Sequence, residues 1–317
     1  MREAAFIKQN REKWESYENE SDGSADELAE RYIELTDDLS YATTFYRGSN
    51  VSRYLNDMTR DFHHRIYRNK GETLQNLIEF WTRTVPLTVY ANHTLLRNTF
   101  FIFLVSCCIG WLSASQDDTY IRLILGDYYV NKTIANIEAG EPMAIYSSAS
   151  QQDMFFMITI NNITVSFYAF VMGIFLSVGT LVMMLQNGIM LGAFQFLFYK
   201  HKYLLICVLT VWIHGVLEIS SIIVAGAAGF RLGNGLIFPS TYSRLESFKR
   251  GAVEGLTLVA GCIPLFIIAG FLESFVTRHS TVSLHISASI ILLSIAFIYW
   301  YFIYYPIQLY KKITSNA

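Results

Sequence analysis

The sequence predicts an all-α protein in two parts, a charged helical bundle followed by a polytopic membrane domain of about six transmembrane helices. Charged residues make up 16% of the 317 residues, against about 25% in a typical globular chain. The charge is also uneven, because residues 1–97 contain 13 of the 24 Lys and Arg and 16 of the 26 Asp and Glu. From Leu95 onwards the chain contains apolar stretches long enough to cross about 30 Å of hydrocarbon.

Residues 1–72 predict a cytoplasmic bundle of three amphipathic helices. Apolar side chains recur at helical spacing along three segments, and Gly48-Ser49-Asn50 separates the last two. Helices of this kind are stable when they bury one common stripe. The predicted stripe contains Phe6, Ile7, Trp14, Tyr17, Leu28, Tyr32, Leu35, Leu39, Ala42, Phe45, Tyr46, Val51, Tyr54, Leu55, Met58, Phe62 and Ile66.

Residues 73–94 predict an amphipathic helix in the membrane interface, directly before the first span. The segment is aromatic and only moderately charged, and Trp81 and Tyr90 are side chains typical of that interface. The alternative is a fourth bundle helix that packs on the N-terminal domain.

Residues 95–310 predict the transmembrane domain, with an extracytoplasmic loop at 116–153. The expected spans are 97–115, 157–185, 187–201, 203–229, 251–275 and 283–306. The third is short, and Gly188 and Gly192 would also suit a half-helix that re-enters the membrane.

Basic residues in short loops predict the orientation. The 116–153 loop has six acidic and two basic residues, so we expect it outside. The 230–250 connection has four basic residues, and Lys311-Lys312 ends the last helix, so we expect both inside. The N- and C-termini are then both cytoplasmic. Lys200 and Lys202 fall outside in this scheme, which is a mild violation of the rule.

Polar side chains inside the apolar stretches are candidates for function, because burying them in lipid is costly. His214 and Glu218 are four residues apart and therefore share one helix face. The other predicted members of this buried polar site are Asn161, Asn162, Asn187 and Glu254. Glu273, near the outer end of the fifth span, and His285 are further polar residues of this domain.

Three interpretations of His214 and Glu218 stay open: a network that fixes helix packing, a path for a proton or small solute, and a metal site. The pair supplies only two ligands, whereas a catalytic zinc needs a third protein ligand and an open position. The chain has no His-Glu-x-x-His motif. The sequence therefore predicts no catalytic residue, no metal and no cofactor.

Small residues in the membrane domain predict close helix packing, either within the chain or in a homodimer. The predicted packing positions are Gly188, Gly192, Gly215, Ser221, Ala225, Gly226, Gly229 and Gly233.

Several partner and function classes are disfavoured. The formal net charge of −2 provides no basic stripe for nucleic acid. The four cysteines lie in apolar stretches without a Cys-x-x-Cys pair, and no phosphate-binding Gly-x-x-x-x-Gly-Lys-Ser/Thr loop is present.

Four stretches resemble the stage II sporulation protein M family, in its long-headed variant from non-sporulating bacteria. They are REAAFIKQNREKW, DDLSYATTFYRGSNVSRYLND, HHRIYRNK and HGVLEISSIIVAGAAGFRLGNGLIFP. The resemblance marks His214, Gly215, Glu218, Gly226, Gly229 and Gly233 in the membrane domain, and Tyr41, Tyr46, Tyr54, Leu55 and Asn56 in the head, without assigning their chemistry.

The resemblance implies an integral protein of the bacterial cytoplasmic membrane with protein partners, such as a MoxR-type AAA ATPase and other membrane proteins. We therefore expect a non-catalytic scaffold or assembly protein, with Tyr41, Tyr46, Tyr54 and Asn56 as docking residues of the head. A transporter or channel that uses His214 and Glu218 is the alternative, and a membrane metalloenzyme is a more distant one.

Overall fold

The computed structural model describes residues 2–19, 25–67, 74–144, 150–277 and 283–315, and all regular structure in these ranges is helical. The chain divides into two compact units, Met1–Asn76 and Leu77–Ala317. Each unit has its own hydrophobic core. The predicted domain boundary at residues 72 and 73 lies outside the described residues.

The head unit contains three helices: α1 (Glu3–Asn19), α2 (Ala25–Phe45) and α3 (Asn50–Tyr67). Its core is drawn entirely from the predicted stripe and contains Phe6, Trp14, Leu35, Ala42, Val51, Leu55, Met58 and Phe62. Phe45 was predicted to join this core but is 63% exposed, because α2 ends at this residue. The side chain of Ile66 lies outside the described part.

Polar contacts join α1 to α2 in the head. Trp14 Nε1 donates to Asp38 Oδ2 at 2.8 Å, and the Tyr17 hydroxyl donates to Glu34 Oε2 at 2.6 Å. Burial, together with this hydrogen bond, raises the pKa of Tyr17 to about 12. Tyr17 therefore stays a neutral donor throughout the physiological range.

The boundary between the two units lies within α4 (Leu74–Glu79), which continues into a π-helical turn (Phe80–Thr84) and α5 (Val85–Ala91) of the second unit. The other elements of this unit are α6 (His93–Gln116), α7 (Asp118–Leu125), α8 (Asp127–Glu138), α9 (Gln151–Val171), a 3₁₀ turn (Met172–Ile174), α10 (Val178–Lys200), α11 (Leu204–Ile237), α12 (Arg244–Phe271), a π-helical turn (Leu272–Thr277), α13 (Leu284–Tyr299), a π-helical turn (Trp300–Tyr304) and α14 (Tyr305–Ser315).

Six of these segments are long and apolar enough to cross a membrane, which confirms the predicted number of spans. They are His93–Gln116, Gln151–Ile174, Val178–Lys200, Leu204–Ile237, Arg244–Thr277 and Leu284–Ser315. The third span was predicted at 187–201, with a re-entrant half-helix as the alternative, and the predicted start was wrong. It is one continuous helix of 23 residues, with Gly188 and Gly192 inside it.

The error arose because the turn before α10 lies at residues 175–177 rather than near residue 186. Leu176 and Ser177 adopt positive φ angles of 53° and 66°. No Pro marks the turn, and its only sequence signals are the small residues Gly173, Ser177 and Gly179 within a largely apolar run. Gly233 of α11 lies against it, and a Cβ on Gly233 would collide with the Ser177 hydroxyl oxygen. The turn is thus stabilised by a distant glycine.

Glycines bring α6 and α10 into backbone contact. A Cβ on Gly192 would collide with the Cys107 carbonyl oxygen, and one on Gly188 would lie 2.9 Å from the Phe103 carbonyl oxygen. Gly110 of α6 is packed in the same way against the Ile189 backbone. Such contacts supply much of the attraction between helices in lipid, where the hydrophobic effect does not act between them.

The segment predicted to lie in the membrane interface packs against the spanning helices. Val85 and Val89 are buried, and the Val85 side chain lies against Gly261 of α12. The carbonyl groups of Trp81 and Thr82, both in the π-helical turn, accept hydrogen bonds from Tyr301 and Tyr305 at 2.8 and 2.7 Å. The location of residues 73–94 in the membrane interface stays a prediction.

The predicted 116–153 loop is helical where it is described and packs on the end of α10. Ile121 of α7 and Val130 of α8 share a small core with Leu197. Lys200 forms an ion pair with Asp118. Lys200 therefore lies beside an acidic partner from α7.

Glycine packing predicts unequal effects of two Gly→Ala substitutions. We expect Gly192→Ala to destabilise the protein by about 1–3 kcal/mol, because the new methyl overpacks the α6–α10 contact. Gly215→Ala is the matched control, since its Cβ would meet nothing closer than 3.9 Å. Thermal unfolding in detergent measures both, and equal destabilisation would contradict the proposed packing.

Candidate functional site

A cluster of His214, Glu218 and Glu273 lies inside the membrane body. One ligand-type atom from each side chain lies within 4.8 Å of the others. His214 is buried at 4% exposure, and the side chain of Glu273 is 13% exposed. His214 lies ten residues into α11, about 15 Å from the helix end, so the cluster is well inside the span.

Helix geometry brings two chain segments together at this cluster. His214 and Glu218 are one turn apart on α11, as predicted. Glu273 comes from the π-helical turn at the end of α12, where the extra residue in the turn changes the direction of the following side chains. Ser274 and Thr277 of the same turn are buried as well.

Hydrogen bonds orient the His214 ring. Its Nδ1 lies 3.1 Å from the Thr277 hydroxyl oxygen, which lies 3.5 Å from the Thr210 carbonyl oxygen. On the other side of the ring, Nε2 lies 3.8 Å from Glu273 Oε2. The imidazole thus bridges a threonine and a carboxylate of the same turn.

Helix α9 adds a polar stripe beside the cluster. Thr159, Asn162 and Ser166 lie on one helix face and are 7%, 5% and 0% exposed. Asn162 lies next to Glu218. Within the described residues, the amide nitrogen of Asn162 and the hydroxyl groups of Thr159, Ser166 and Ser274 have no hydrogen-bond partner. We call this stripe, together with the His214 cluster, the buried polar seam. Burying so many polar groups is costly in lipid, which makes the seam a candidate for function.

The structure separates three of the predicted members from this site. Asn161 is exposed on the outer face of α9, because it is adjacent in sequence to the inward-facing Asn162. The Asn187 side chain donates to the Met183 carbonyl of its own helix at 2.8 Å. Glu254 lies on α12, 19 residues before Glu273 in the following turn. This spacing corresponds to about 28 Å along the helix axis, so Glu254 lies at a different depth in the bundle.

Glu254 forms a second polar site with Arg231 and Asn92. The Arg231 guanidinium donates to both carboxylate oxygens at 2.8 and 2.9 Å, and Asn92 Nδ2 donates to Glu254 Oε2 at 2.9 Å. This bidentate pair joins α11 to α12, and Asn92 ties the junction of α5 and α6 to both. Its geometry is that of a structural clamp.

The small residues pack within the chain. Gly226 lies against Met184 and Thr99, Gly229 against Thr180 and Ala169, and Gly233 against Ser177. Ser221 and Ala225 are fully buried. Gly215 differs, because no neighbouring helix approaches it closely. The predicted homodimer therefore loses the support that these positions were expected to give.

The predicted docking residues of the head have different surroundings. Tyr41 and Tyr46 stack against Phe6 at centroid distances of 5.0 and 5.6 Å, so they support the core. Asn56 is exposed. Tyr54 is 36% exposed, and its hydroxyl donates to Glu18 Oε2 at 2.9 Å. Partial burial and this hydrogen bond raise the pKa of Tyr54 to about 12.

Tyr54 also lines a groove between α1 and α3, with a volume of about 420 Å³. Trp14 and Val51 form the floor of the groove but are buried, at 3% and 5% exposure, while Arg11 and Glu15 are charged and exposed. Sequence reasoning identified the tyrosine but not the groove, because the groove depends on the packing of two helices distant in sequence.

From the sequence, Glu273 was named as a polar residue of the membrane domain but was not assigned to the site. Ser274 and Thr277 were not predicted. A signal was present: Thr277 is four residues after Glu273 and three after Ser274, which are helical spacings, near the end of a span. Their meeting with His214 could not be inferred, because it depends on how α11 and α12 pack.

The two units and the buried polar seam define an all-helical, polytopic membrane protein with a separate helical head. The profile of the Stage II sporulation protein M family matches residues 99–278, more than half of the chain and all of the polar seam. The chain therefore belongs to this family. The head, residues 4–68, matches a domain of unknown function (DUF8413).

The head stretches that seemed to carry the family resemblance thus belong to a domain with its own profile. No curated protein and no solved structure matches the chain.

The clamp predicts a specific cost of removing Glu254. We expect Glu254→Ala to lower the free energy of unfolding by about 1–3 kcal/mol, because a half-buried Arg231 loses its partner. Glu246→Ala breaks the exposed pair with Arg250 and should cost less than about 1 kcal/mol. Thermal unfolding in detergent compares them, and equal costs would show that the clamp is not structural.

Proposed function

We propose that this protein is a non-catalytic scaffold of the bacterial cytoplasmic membrane, which docks a cytoplasmic protein on its head and membrane partners on its body. The observation that carries the proposal is the groove on a separately folded head. A bundle with its own core and a partly apolar surface groove is suited to recognising another protein.

The groove favours a partner with apolar and basic side chains. Tyr54, which is 36% exposed, offers aromatic surface of the type that dominates binding energy at protein interfaces. Glu15 and Glu18 provide two negative charges against the single positive charge of Arg11. The family resemblance makes a MoxR-type AAA ATPase a reasonable partner for this surface.

The membrane body supports the anchoring part of the proposal. Its helices are held by glycine contacts and by the Arg231–Glu254 clamp, which favours a rigid platform. We place both termini in the cytoplasm, as the basic residues of the short loops indicate. Homodimerisation and contacts with lipid remain part of the proposal, without nucleic acid as a partner.

Site-specific photo-cross-linking in cells tests the head groove. We expect a photoreactive phenylalanine analogue at Tyr54 to form an adduct with one cytoplasmic protein. The matched control is the same analogue at Phe45, an exposed aromatic residue outside the groove. Glu15→Arg should reduce the Tyr54 adduct about fivefold, which corresponds to about 1 kcal/mol.

Asp37→Arg makes the same charge change at an exposed position of α2 and should leave the adduct unchanged. Equal adducts from positions 45 and 54, or adducts only with a second copy of the chain, would contradict docking at the groove.

A second candidate function is transport of an ion or small solute through the body. It is favoured by the unpartnered polar groups of Asn162, Ser166 and Ser274 beside the His214 cluster. Polar groups that face one another inside a bundle are typical of transport pathways.

Transport predicts that Glu218→Gln abolishes flux. We expect a loss of more than about tenfold in proteoliposomes, because the substitution removes one acid from the buried site. Glu246→Gln, at an exposed carboxylate, is the control and should retain flux. Flux is measured with fluorescent reporters for protons and for divalent cations. Equal rates for both variants would contradict this function.

A further inference from the structure

The polar cluster has the ligand set of a metal site, which the sequence did not reveal. His214 and Glu218 supply two ligands from α11, and Glu273 supplies a third from the turn after α12. A nitrogen and two carboxylate oxygens suit a transition metal such as Zn²⁺, whereas Mg²⁺ and Ca²⁺ prefer oxygen ligands alone. The objection that only two ligands exist therefore no longer holds.

The contacts of His214 show which ring nitrogen faces Glu273. When the Thr277 hydroxyl donates to the Thr210 carbonyl, 3.5 Å away, it accepts from Nδ1–H of His214 at 3.1 Å. The proton of a neutral imidazole is then on Nδ1, and Nε2 carries a lone pair directed at Glu273. Metal-binding histidines are commonly oriented by such a bond from the other ring nitrogen.

This arrangement places two electron-pair donors opposite each other. Nε2 of His214 and Oε2 of Glu273 are 3.8 Å apart, and they repel unless a cation or a proton lies between them. Glu218 adds a second carboxylate to the same space. In the described ranges, no lysine or arginine forms an ion pair with either carboxylate. A divalent cation would balance both negative charges inside the span.

Asn162 is placed to support Glu218. It is 5% exposed, and its side chain lies close enough to interact with the Glu218 carboxylate although its amide nitrogen does not meet hydrogen-bond geometry with any described residue. An amide that donates to one oxygen of Glu218 would hold the other oxygen towards a metal. Carboxylate ligands are usually supported in this way.

We propose that His214 Nε2, Glu218 and Glu273 bind one divalent transition-metal ion, with Zn²⁺ as the best match, in the membrane body. Zinc has ligands at about 2.0–2.2 Å, so the ligand atoms must approach one another from their present separation of up to 4.8 Å. Both glutamates have rotatable side chains that allow this. A water molecule would complete the usual four positions. The proposal is independent of the scaffold function.

Metal content of the full-length protein tests the proposal directly. The chain is purified in detergent with a tag that binds no metal, stripped with a chelator, loaded with Zn²⁺ and desalted. We expect about one zinc ion per chain, in line with a three-ligand site. Glu273→Gln keeps the side-chain volume and removes a buried charge, and it should abolish zinc binding. Glu246→Gln is the matched control and should bind as the unsubstituted protein does.

Two further measurements separate a built site from adventitious binding to surface histidines. Co²⁺ in place of Zn²⁺ should give the visible absorption of a four-coordinate ion, which Glu273→Gln should remove. Thr277→Val should weaken zinc affinity by about 10- to 100-fold, because the ring loses its orienting bond. Zinc should also raise the unfolding temperature of the unsubstituted chain but not that of Glu273→Gln.

Three results would overturn the proposal. They are an unsubstituted chain that retains no zinc after loading, a folded Glu273→Gln chain that retains as much zinc as the control, and a cobalt spectrum of an ion bound only by water. The first would indicate that a proton, rather than a metal, lies between His214 and Glu273. Unfolding temperatures establish that each variant is folded when its metal content is measured.

Discussion

Close contact between α11 and its neighbours is the constraint on which the membrane body depends. This helix packs against α6, α9, α10, α12 and α13, and a single helix can do so only if its side chains are small on several faces. Gly226, Gly229 and Gly233 allow α6, α9, α10 and the turn before α10 to approach its backbone. Because lipid is as apolar as a leucine side chain, such close packing and polar contacts hold the helices together.

The central position of α11 explains why its polar residues are buried. A helix that is surrounded by other helices presents His214 and Glu218 to protein rather than to lipid, and the π-helical turn of α12 then meets them with Glu273 and Thr277. A π-helical turn replaces the regular α-helical hydrogen bonds with a less common pattern, and such turns are often found at functional sites. Its position here coincides with the polar cluster.

The two polar layers of the body have different characters. Arg231, Glu254 and Asn92 satisfy one another with short hydrogen bonds, as a structural network should. The layer around His214 contains two carboxylates with no arginine or lysine partner in the described residues, and neighbouring amide and hydroxyl groups are unpartnered there. Because of this contrast, we propose a bound ion at the His214 cluster and not at the Arg231–Glu254 pair.

The sequence by itself determined the helical class, the number of spans and the core of the head. Apolar length and helical periodicity are local properties, so Trp14, Leu35 and Leu55 could be assigned to the core without coordinates. It also located His214 and Glu218 on one face, since four residues make about one turn. Tertiary structure alone decided that Glu273 joins them, that Glu254 pairs with Arg231 instead, and that the third span begins after Ser177. These outcomes depend on which helices pack against each other. In lipid, helix pairing is determined by the close fit of backbones at small residues, and no pattern within a single segment reveals it.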